Sequence, residues 1–397
     1  MPQAPQTASW WRFPLALMLL EVVAYLSQDM YLPALPVVQH DYGVSQASAQ
    51  LSIAIWSAGA AVVQLVTGPV SDRLGRRSVL LTGVGGFALA SLACALSSRY
   101  GWFLAARLAQ GCAGVWAISV GYASMHELYE ARTAIRIQAW MSSVTVLAPA
   151  LGPALGAGVM LLAPWQGSFV LLAAGGAALV PLLARWMPET VDRSLSRPLT
   201  VRVVGANYLA LLRNGPMSSL LAVWCLVFAV IVMWVVSGPF MLRDASGSTR
   251  GFVWAQLYAC GAYIVGTRLV DPLLDLYPRG LLMARALDLC LLGVAATLAA
   301  ALLRLPAALV VAFYGVFMLG AGVLLPPLFR AIVVRAQQDM GLRMAWASSA
   351  INFAGAFAGA LAAWLEVGHL RSFALLGLLA LAAARALAHG RRGLAPA

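Results

Sequence analysis

The stretch Glu21-Val-Val-Ala-Tyr25-Leu-Ser-Gln28-Asp29-Met-Tyr-Leu-Pro-Ala-Leu-Pro36 decides how this chain is read. It continues an apolar run that begins near Phe13, so two carboxylates, Glu21 and Asp29, lie inside what reads as a membrane-spanning helix. An ionised side chain at that depth costs about 2.5–3.5 kcal/mol on insertion scales, so it is rarely there by accident. The separation from Glu21 to Asp29 corresponds to about 12 Å of rise and roughly 80° of rotation on a helix. Both acids can therefore face one side at two depths, which is what a protein handling protons or cations across a bilayer needs.

The remainder of the chain agrees with a membrane reading. Of its 397 residues 62% are hydrophobic and 10% charged, where a soluble domain carries about a quarter charged. Apolar runs near 13–35, 47–70, 78–97, 101–124, 135–162, 165–187, 216–240, 252–273, 281–303, 306–329, 342–364 and 370–388 are each long enough to span, since about 20 residues cross a bilayer. The run 252–273 is the least regular, interrupted by Arg268 and Asp271. The predicted fold is all-α and integral to the membrane, with twelve transmembrane helices. The longest polar interval divides them into an N-terminal six-helix bundle (1–187), a cytoplasmic linker (188–214) and a C-terminal six-helix bundle (215–397). Such halves suggest a duplication, although no strong residue-level repeat accompanies it.

The chain has no lysine, so every fixed cation is an arginine. With the N-terminus inside, twenty arginines fall on the cytoplasmic side and five outside (Arg99, Arg243, Arg250, Arg304 and Arg371), with Arg107 left in the membrane. That asymmetry predicts a multi-pass protein with both termini cytoplasmic. It also accounts for the net charge of +12 without nucleic acid, since no basic stripe has interleaved aromatics. The first span is too long and too acidic for a cleaved signal peptide and is read as a retained helix. The five cysteines are scattered through apolar runs, against a disulfide framework or a metal site. No intramembrane HExxH, His-rich or activated-serine pattern points to an enzyme, and no phosphate-binding Gly-rich loop with lysine points to an ATP-driven pump.

Three further segments carry the chemistry. Gly68-Pro-Val-Ser-Asp72-Arg73-Leu-Gly75-Arg76-Arg77 packs charge and glycine into a short turn between spans two and three. Its glycines allow close backbone approach, and Asp72 can accept from Arg73 or Arg76. Charge count alone makes it a positive-inside anchor; its full spacing is more specific than that. Arg107 lies about 9 Å below the outer end of span four, at nearly the depth of Asp29. An Asp29–Arg107 pair, direct or through water, keeps both in the membrane. The pair either couples ion movement or only fixes helix packing, and Glu21 is an acid that it leaves uncompensated. In span five, Gly152-Pro153-Ala-Leu-Gly156 clusters small residues and a helix-bending proline, either as a close helix contact alone or as something more particular.

Together these stretches, with Gly121-Tyr122-Ala123, Glu127 and Met187-Pro-Glu-Thr190, resemble the twelve-span drug/proton antiporters of the major facilitator superfamily, most closely the MdfA-type multidrug (chloramphenicol-resistance) branch. The resemblance covers most of the N-terminal half and the C-terminal half mainly by span pattern. It implies proton-coupled efflux of lipophilic cationic and neutral drugs by alternating access, working as a monomer in the bacterial inner membrane. Its energy source would be the proton gradient, with no cofactor. A proton-coupled nutrient importer of the same fold is the alternative, against which the Gly-Pro-x-x-Gly order, a mark of the antiporters, speaks. The resemblance assigns proton coupling to Glu21, Asp29 and Arg107. It makes Gly68, Asp72, Arg73, Gly75 and Arg76 a conformational latch and Gly152, Pro153 and Gly156 the antiporter motif. Glu21, Tyr25, Gln28, Asp29 and Tyr122 would line the cavity. Gln28 stands where the branch often has Asn, and Ile53 with Trp56 reshapes the pocket. Met141 and Thr145 in span five and Val232 and Val235 in span seven are candidates for substrate contact by helical spacing, with packing as the alternative. Glu127 is either a cation-steering group or a solvated cap.

Overall fold

The chain folds almost wholly into helices because its apolar runs are long enough to satisfy every backbone N–H and C=O within a segment, as lipid demands. The computed structural model describes residues 11–190, 215–246, 250–333, 340–365 and 369–390. At some helical positions within them, among them Pro69, Arg136 and Thr145, only the backbone is described. Most of the expected linker, 191–214, lies outside the described residues.

The helices are α1 (Arg12–Asp29), α2 (Leu35–Tyr42), α3 (Gln46–Leu74), α4 (Arg76–Leu96), α5 (Tyr100–Leu128), α6 (Ala131–Leu162), α7 (Gln166–Trp186), α8 (Gly215–Ser246), α9 (Arg250–Leu276), α10 (Arg279–Leu302), α11 (Ala307–Val333), α12 (Met340–Trp364) and α13 (Leu370–Gly390). No strand occurs among the described residues. Nine segments among the described residues are long and apolar enough to cross a membrane. One of them joins α1 and α2, and the other long helices are α6, α9 and α12, of 32, 27 and 25 residues. The expected run 13–35 is not one straight helix. It stops at Asp29, passes through a 3₁₀ turn at Leu32–Ala34 and resumes as α2 to Tyr42. Pro33 and Pro36 have no N–H to continue an α ladder, so the break falls immediately after the second acid.

Two compact units emerge: Met1–Ala34 with Ile55–Leu199, and Leu35–Ala54 with Thr200–Ala397. The first has a core of Phe13, Leu17 and Leu20 from α1, Val79, Leu80 and Val84 from α4, Val120 and Met125 from α5, Ile137 and Met141 from α6, and Leu179 and Leu183 from α7. In the second, Trp234 of α8 stacks on Tyr314 of α11 with centroids 4.0 Å apart, and Phe373 of α13 closes the cluster. Trp234 Nε1 donates to Gln256 Oε1 at 3.0 Å, and Arg385 pairs with Asp288 at 2.7 Å. The first turns of α3 belong to this unit: Gln50 Nε2 donates to Ser237 Oγ at 3.4 Å, and Ala54 lies against Gly359.

A residue-level repeat, absent from the motifs, is present in the packing. In the first unit a Cβ on Gly59 of α3 would meet the Leu108 carbonyl of α5, and one on Gly111 would meet the Trp56 carbonyl. In the second, Gly266 of α9 faces the Leu319 carbonyl of α11, and Gly322 faces the Tyr263 carbonyl. In each unit, every glycine follows by one helical step of three the carbonyl that the opposing glycine touches. These are backbone-to-backbone crossings of the kind small residues permit in membranes.

Candidate functional site

The acids expected to matter both belong to α1 and are both buried, Glu21 with no exposed surface and Asp29 at 5%. Close approach of α5 to α1 explains how Glu21 is held. Gly114 of α5 lies beside Ala24, and Gly121 lies against Leu17. Tyr122, next to Gly121, then reaches across, and its hydroxyl donates to Glu21 Oε1 at 2.9 Å. Glu21, read from the sequence as uncompensated, thus has a hydrogen-bond donor in a phenol. Tyr25, one turn along α1, is half-buried. Gln28 is also half-buried.

Arg107 is completely buried in α5. Its Nη1 donates to the Ser27 carbonyl at 2.8 Å and to Gln110 Oε1 at 2.6 Å. The guanidinium also lies over the rings of Tyr31 and Phe169, 5.2 and 5.7 Å from their centroids. Those rings, with Phe103 and Trp165, form one aromatic cluster around the end of α1. Such faces attract a cation more strongly when water is absent. Asp29, two residues beyond Ser27, feels the positive charge of Arg107. Asp29 and Arg107 thus lie within electrostatic reach of each other, while the hydrogen bonds of the guanidinium go to backbone and amide oxygens.

Gly152 and Gly156 of α6 pack on this point. A Cβ on Gly152 would come within 2.6 Å of Asp29 Cβ, and one on Gly156 would fall on the Met30 carbonyl. Pro153 lies between them, inside the helix. The small-residue motif is therefore seated on the backbone that carries the second acid, at the point where α1 gives way to the 3₁₀ turn.

At another end of the same unit lies the expected latch. The turn is shorter than read from the sequence: α3 runs to Leu74, α4 begins at Arg76, and Gly75 alone connects them with φ of 91°. Only glycine adopts that conformation readily. Gly68, by contrast, is inside α3 and would meet no described atom within 4 Å if given a Cβ. Arg76 is the hub. It pairs with Asp72 at 2.7 Å and with Glu127 at 2.8 Å, donates to Ser71 Oγ, and its backbone N–H donates to Glu189 Oε1 at 2.8 Å. Thr190 Oγ1 donates to Glu127, and Arg77 to the Ala184 carbonyl. Arg73 is exposed. Glu127 thus links α5 to this cluster, which also collects the Pro188-Glu189-Thr190 segment after α7.

The cluster yields a test of anchor against latch. Exposed ion pairs contribute about 0.2–1 kcal/mol, so Glu127→Gln is expected to melt within a few degrees of wild type. As a latch variant it should transport severalfold more slowly; unchanged turnover in reconstituted vesicles would make the cluster an anchor.

The other candidates divide between the units. Met141 is buried in the apolar core of the first, against α1 and α4 residues. Thr145 is in α6, with its side chain outside the described residues. Trp56 is buried, its carbonyl at Gly111, and its indole N–H finds no acceptor among the described residues. Trp116 donates its indole N–H to the Val79 carbonyl at 3.0 Å and so serves packing. In the second unit Ile53, Val232 and Val235 are buried, with Val232 against Gly355. No group of three or more potential metal ligands occurs among the described residues. Sequence reasoning missed Ser27, Ser91 and Gln110 as partners of the charge; only a polar residue one turn beyond Arg107 hinted at the last.

Comparison with known proteins places these features in a family. The profile of the Major Facilitator Superfamily matches residues 17–360. The multidrug resistance protein MdtM of Salmonella typhimurium is 34% identical over 328 residues, 82% of this chain and 79% of that protein. The multidrug transporter MdfA of Escherichia coli O157:H7 is 33% identical over 261 residues, 65% of this chain and 63% of that one. Among solved structures, a D-xylose–proton symporter superposes with a TM-score of 0.77 at 15% identity, covering 95% of this chain and 97% of its own. The human organic anion transporter MFSD10 gives 0.68 at 20% identity, covering 96% and 100%. At such identities the last two speak for the fold alone.

Proposed function

This chain belongs to the major facilitator superfamily, and from that premise we propose that it is a proton-coupled multidrug efflux antiporter working by alternating access. The observation that carries the reading is the pair of buried acids on α1, one held by a tyrosine and the other beside a buried arginine. The 34% identity to MdtM supports drugs as cargo. An intramembrane ionisable residue marks an ion or substrate path, and here two occur on one helix at different depths.

In this scheme a proton entering from outside neutralises Asp29, or Glu21 through it, and weakens the hold on a bound cation. Release of that proton inward restores a negative cavity for the next drug. Arg107 supplies the positive charge that favours the ionised form of Asp29. Tyr25, Gln28 and Tyr122 line the approach to Glu21, and the Trp56 indole is a donor for a drug acceptor. Ile53, Met141, Thr145, Val232 and Val235 give apolar contact. Gly152, Pro153 and Gly156 keep α6 tight on α1 during turnover. The protein works as a monomer in the bacterial inner membrane with both termini cytoplasmic, in two bundles (1–187 and 215–397) joined by 188–214. It draws on the proton gradient and needs no cofactor or catalysis.

Everted membrane vesicles with a pH-sensitive dye test the direction. Addition of ethidium or chloramphenicol is expected to release protons from the lumen. Proton movement that requires a nutrient and ignores both drugs would mean an importer.

Glu21 makes the charge preference testable. A hydrogen bond or close pair involving a charged group contributes about 1.5–3 kcal/mol, which a neutral drug does not gain. Glu21→Gln, which keeps the shape and the Tyr122 contact, is expected to lower resistance to ethidium about tenfold or more. Chloramphenicol resistance should change far less, in one hypersensitive host at matched expression. Equal losses would assign Glu21 to the proton path alone, and no loss would make it structural.

A further inference from the structure

Arg107 does not stand alone with Asp29. Behind it runs a chain of fully buried polar groups that links α5 to α4. Gln110 Oε1 accepts from Arg107 Nη1 at 2.6 Å, Gln110 Nε2 donates to Ser91 Oγ at 2.8 Å, and Ser91 Oγ donates to the Phe87 carbonyl at 2.7 Å.

The order of donors in this chain is forced. A serine hydroxyl has one hydrogen, and Ser91 directs it to Phe87. Toward Gln110 it can therefore only accept. Gln110 must turn its amide nitrogen to Ser91, and its oxygen is left facing the guanidinium. Reversal of the amide would set two donors against each other at Arg107 and two acceptors against each other at Ser91, in a site where buried unpaired polar groups are costly. Arg107, which can only donate, and Ser91, which here can only accept, thus hold the amide in one orientation from its two ends. The same Nη1 that Gln110 binds also donates to the Ser27 carbonyl. The guanidinium is held by two neutral oxygens and lies within electrostatic reach of the Asp29 carboxylate.

We propose that Gln110, oriented by Ser91, is a positioning residue that competes with Asp29 for the Arg107 guanidinium and so sets the pH at which the acid exchanges its proton. The proposal rests on the reading that Arg107 and Asp29 are coupled. The other titratable groups facing Arg107 are few. Tyr31 comes from the turn after α1, Cys94 from α4 and Tyr100 from α5 itself. The α7 contribution is the uncharged ring of Phe169, and α6 presents the Gly152 surface to Asp29. Among these, Asp29 is the carboxylate, so a shift of the guanidinium registers there first.

The two positions push in opposite directions, which a packing role would not. Ser91→Ala removes the lock on the amide, loosens the hold of Gln110 and lets the guanidinium settle on Asp29. The carboxylate then keeps its charge to lower pH. Gln110→Glu, nearly isosteric, gives Arg107 a permanent partner and draws it from Asp29, which then takes a proton at higher pH.

The experiment records ethidium-evoked proton release by the full-length protein in reconstituted vesicles as a function of pH. Ser91→Ala is expected to displace the profile toward acid and Gln110→Glu toward alkali, each by about one pH unit, a tenfold change in proton occupancy. Ser91→Thr, which keeps the hydroxyl, should return the wild-type profile. Should Gln110→Glu not fold, Gln110→Met, which deletes the acceptor without adding charge, must move the profile the same way as Ser91→Ala. Profiles that coincide with wild type, Ser91→Ala and Gln110→Glu profiles that move in one direction, or Ser91→Ala and Gln110→Met profiles that move in opposite ones, would overturn the proposal. Arg107→Ala separates the two ideas. If it retains the wild-type proton signal, the coupling reading itself has failed. If it loses the signal while the Ser91 and Gln110 variants keep wild-type profiles, only the positioning role has failed.

Discussion

Arg107→Ala is expected to abolish drug-evoked proton movement and drug resistance while the protein still reaches the membrane. The side chain is completely buried, and its removal strips a donor from the Ser27 carbonyl and from Gln110 as well as the cation from beside Asp29. Breaking a buried charge partnership by deleting one member costs about 3–5 kcal/mol, because the other member is left uncompensated. A carboxylate left without that charge is driven to hold its proton, so inward release fails near neutral pH. Arg107→Lys is expected to rescue little. An ammonium is a compact point charge without the planar fork that binds two oxygens and stacks on a ring, and here the fork has the Ser27 carbonyl, Gln110, Tyr31 and Phe169 to satisfy. Normal proton release from the Ala variant would remove Arg107 from the coupling path.

Gly156→Leu is the second large effect. A Cβ at that position falls on the Met30 carbonyl, so backbone, not the end of a flexible side chain, must move. Overpacking a tight contact costs about 1–3 kcal/mol or more, and the strain here is delivered one residue from Asp29. The expected product is a folded protein that exports poorly or lets protons pass without drug. Gly158, two residues on, has no described atom within 4 Å of an added Cβ. Gly158→Ala is therefore the control and should behave as wild type. Normal export with normal coupling by the Gly156 variant would return the motif to plain helix packing.

Much of the helical pattern could be read from the chain because lipid leaves few alternatives: a long apolar run in it must close its own hydrogen bonds. The expected spans and the observed helices agree closely, as with 165–187 against Gln166–Trp186. Charges inside such runs are conspicuous, so Glu21, Asp29 and Arg107 were identifiable as exceptions. What surrounds them was not. Tyr122 reaches Glu21 only because Gly114 and Gly121 let two helices close, a relation spread over a hundred residues of chain. Glu127 read as a steering charge or a solvated cap because nothing near it in sequence showed that Arg76 would arrive. Ser91 is an ordinary polar residue until its hydrogen is traced to Phe87. The break after Asp29 follows from Pro33 and Pro36, yet hydropathy averages across it. Sequence offered least for the second unit, where the site residues are apolar and differ little from packing residues.

The paired glycines of α3 with α5 and of α9 with α11 carry a consequence for how such a protein can change. Both crossings are made by main chain against main chain, at positions that contribute no side chain at all. Every outward and inward surface of the four helices is thereby left open to substitution without disturbing the spacing between them. The two units could differ in the residues around each crossing while the crossings themselves kept the same three-residue register. The glycines themselves have no such freedom, because any side chain there would fall on a carbonyl of the facing helix: the frame is fixed at four positions and variable elsewhere.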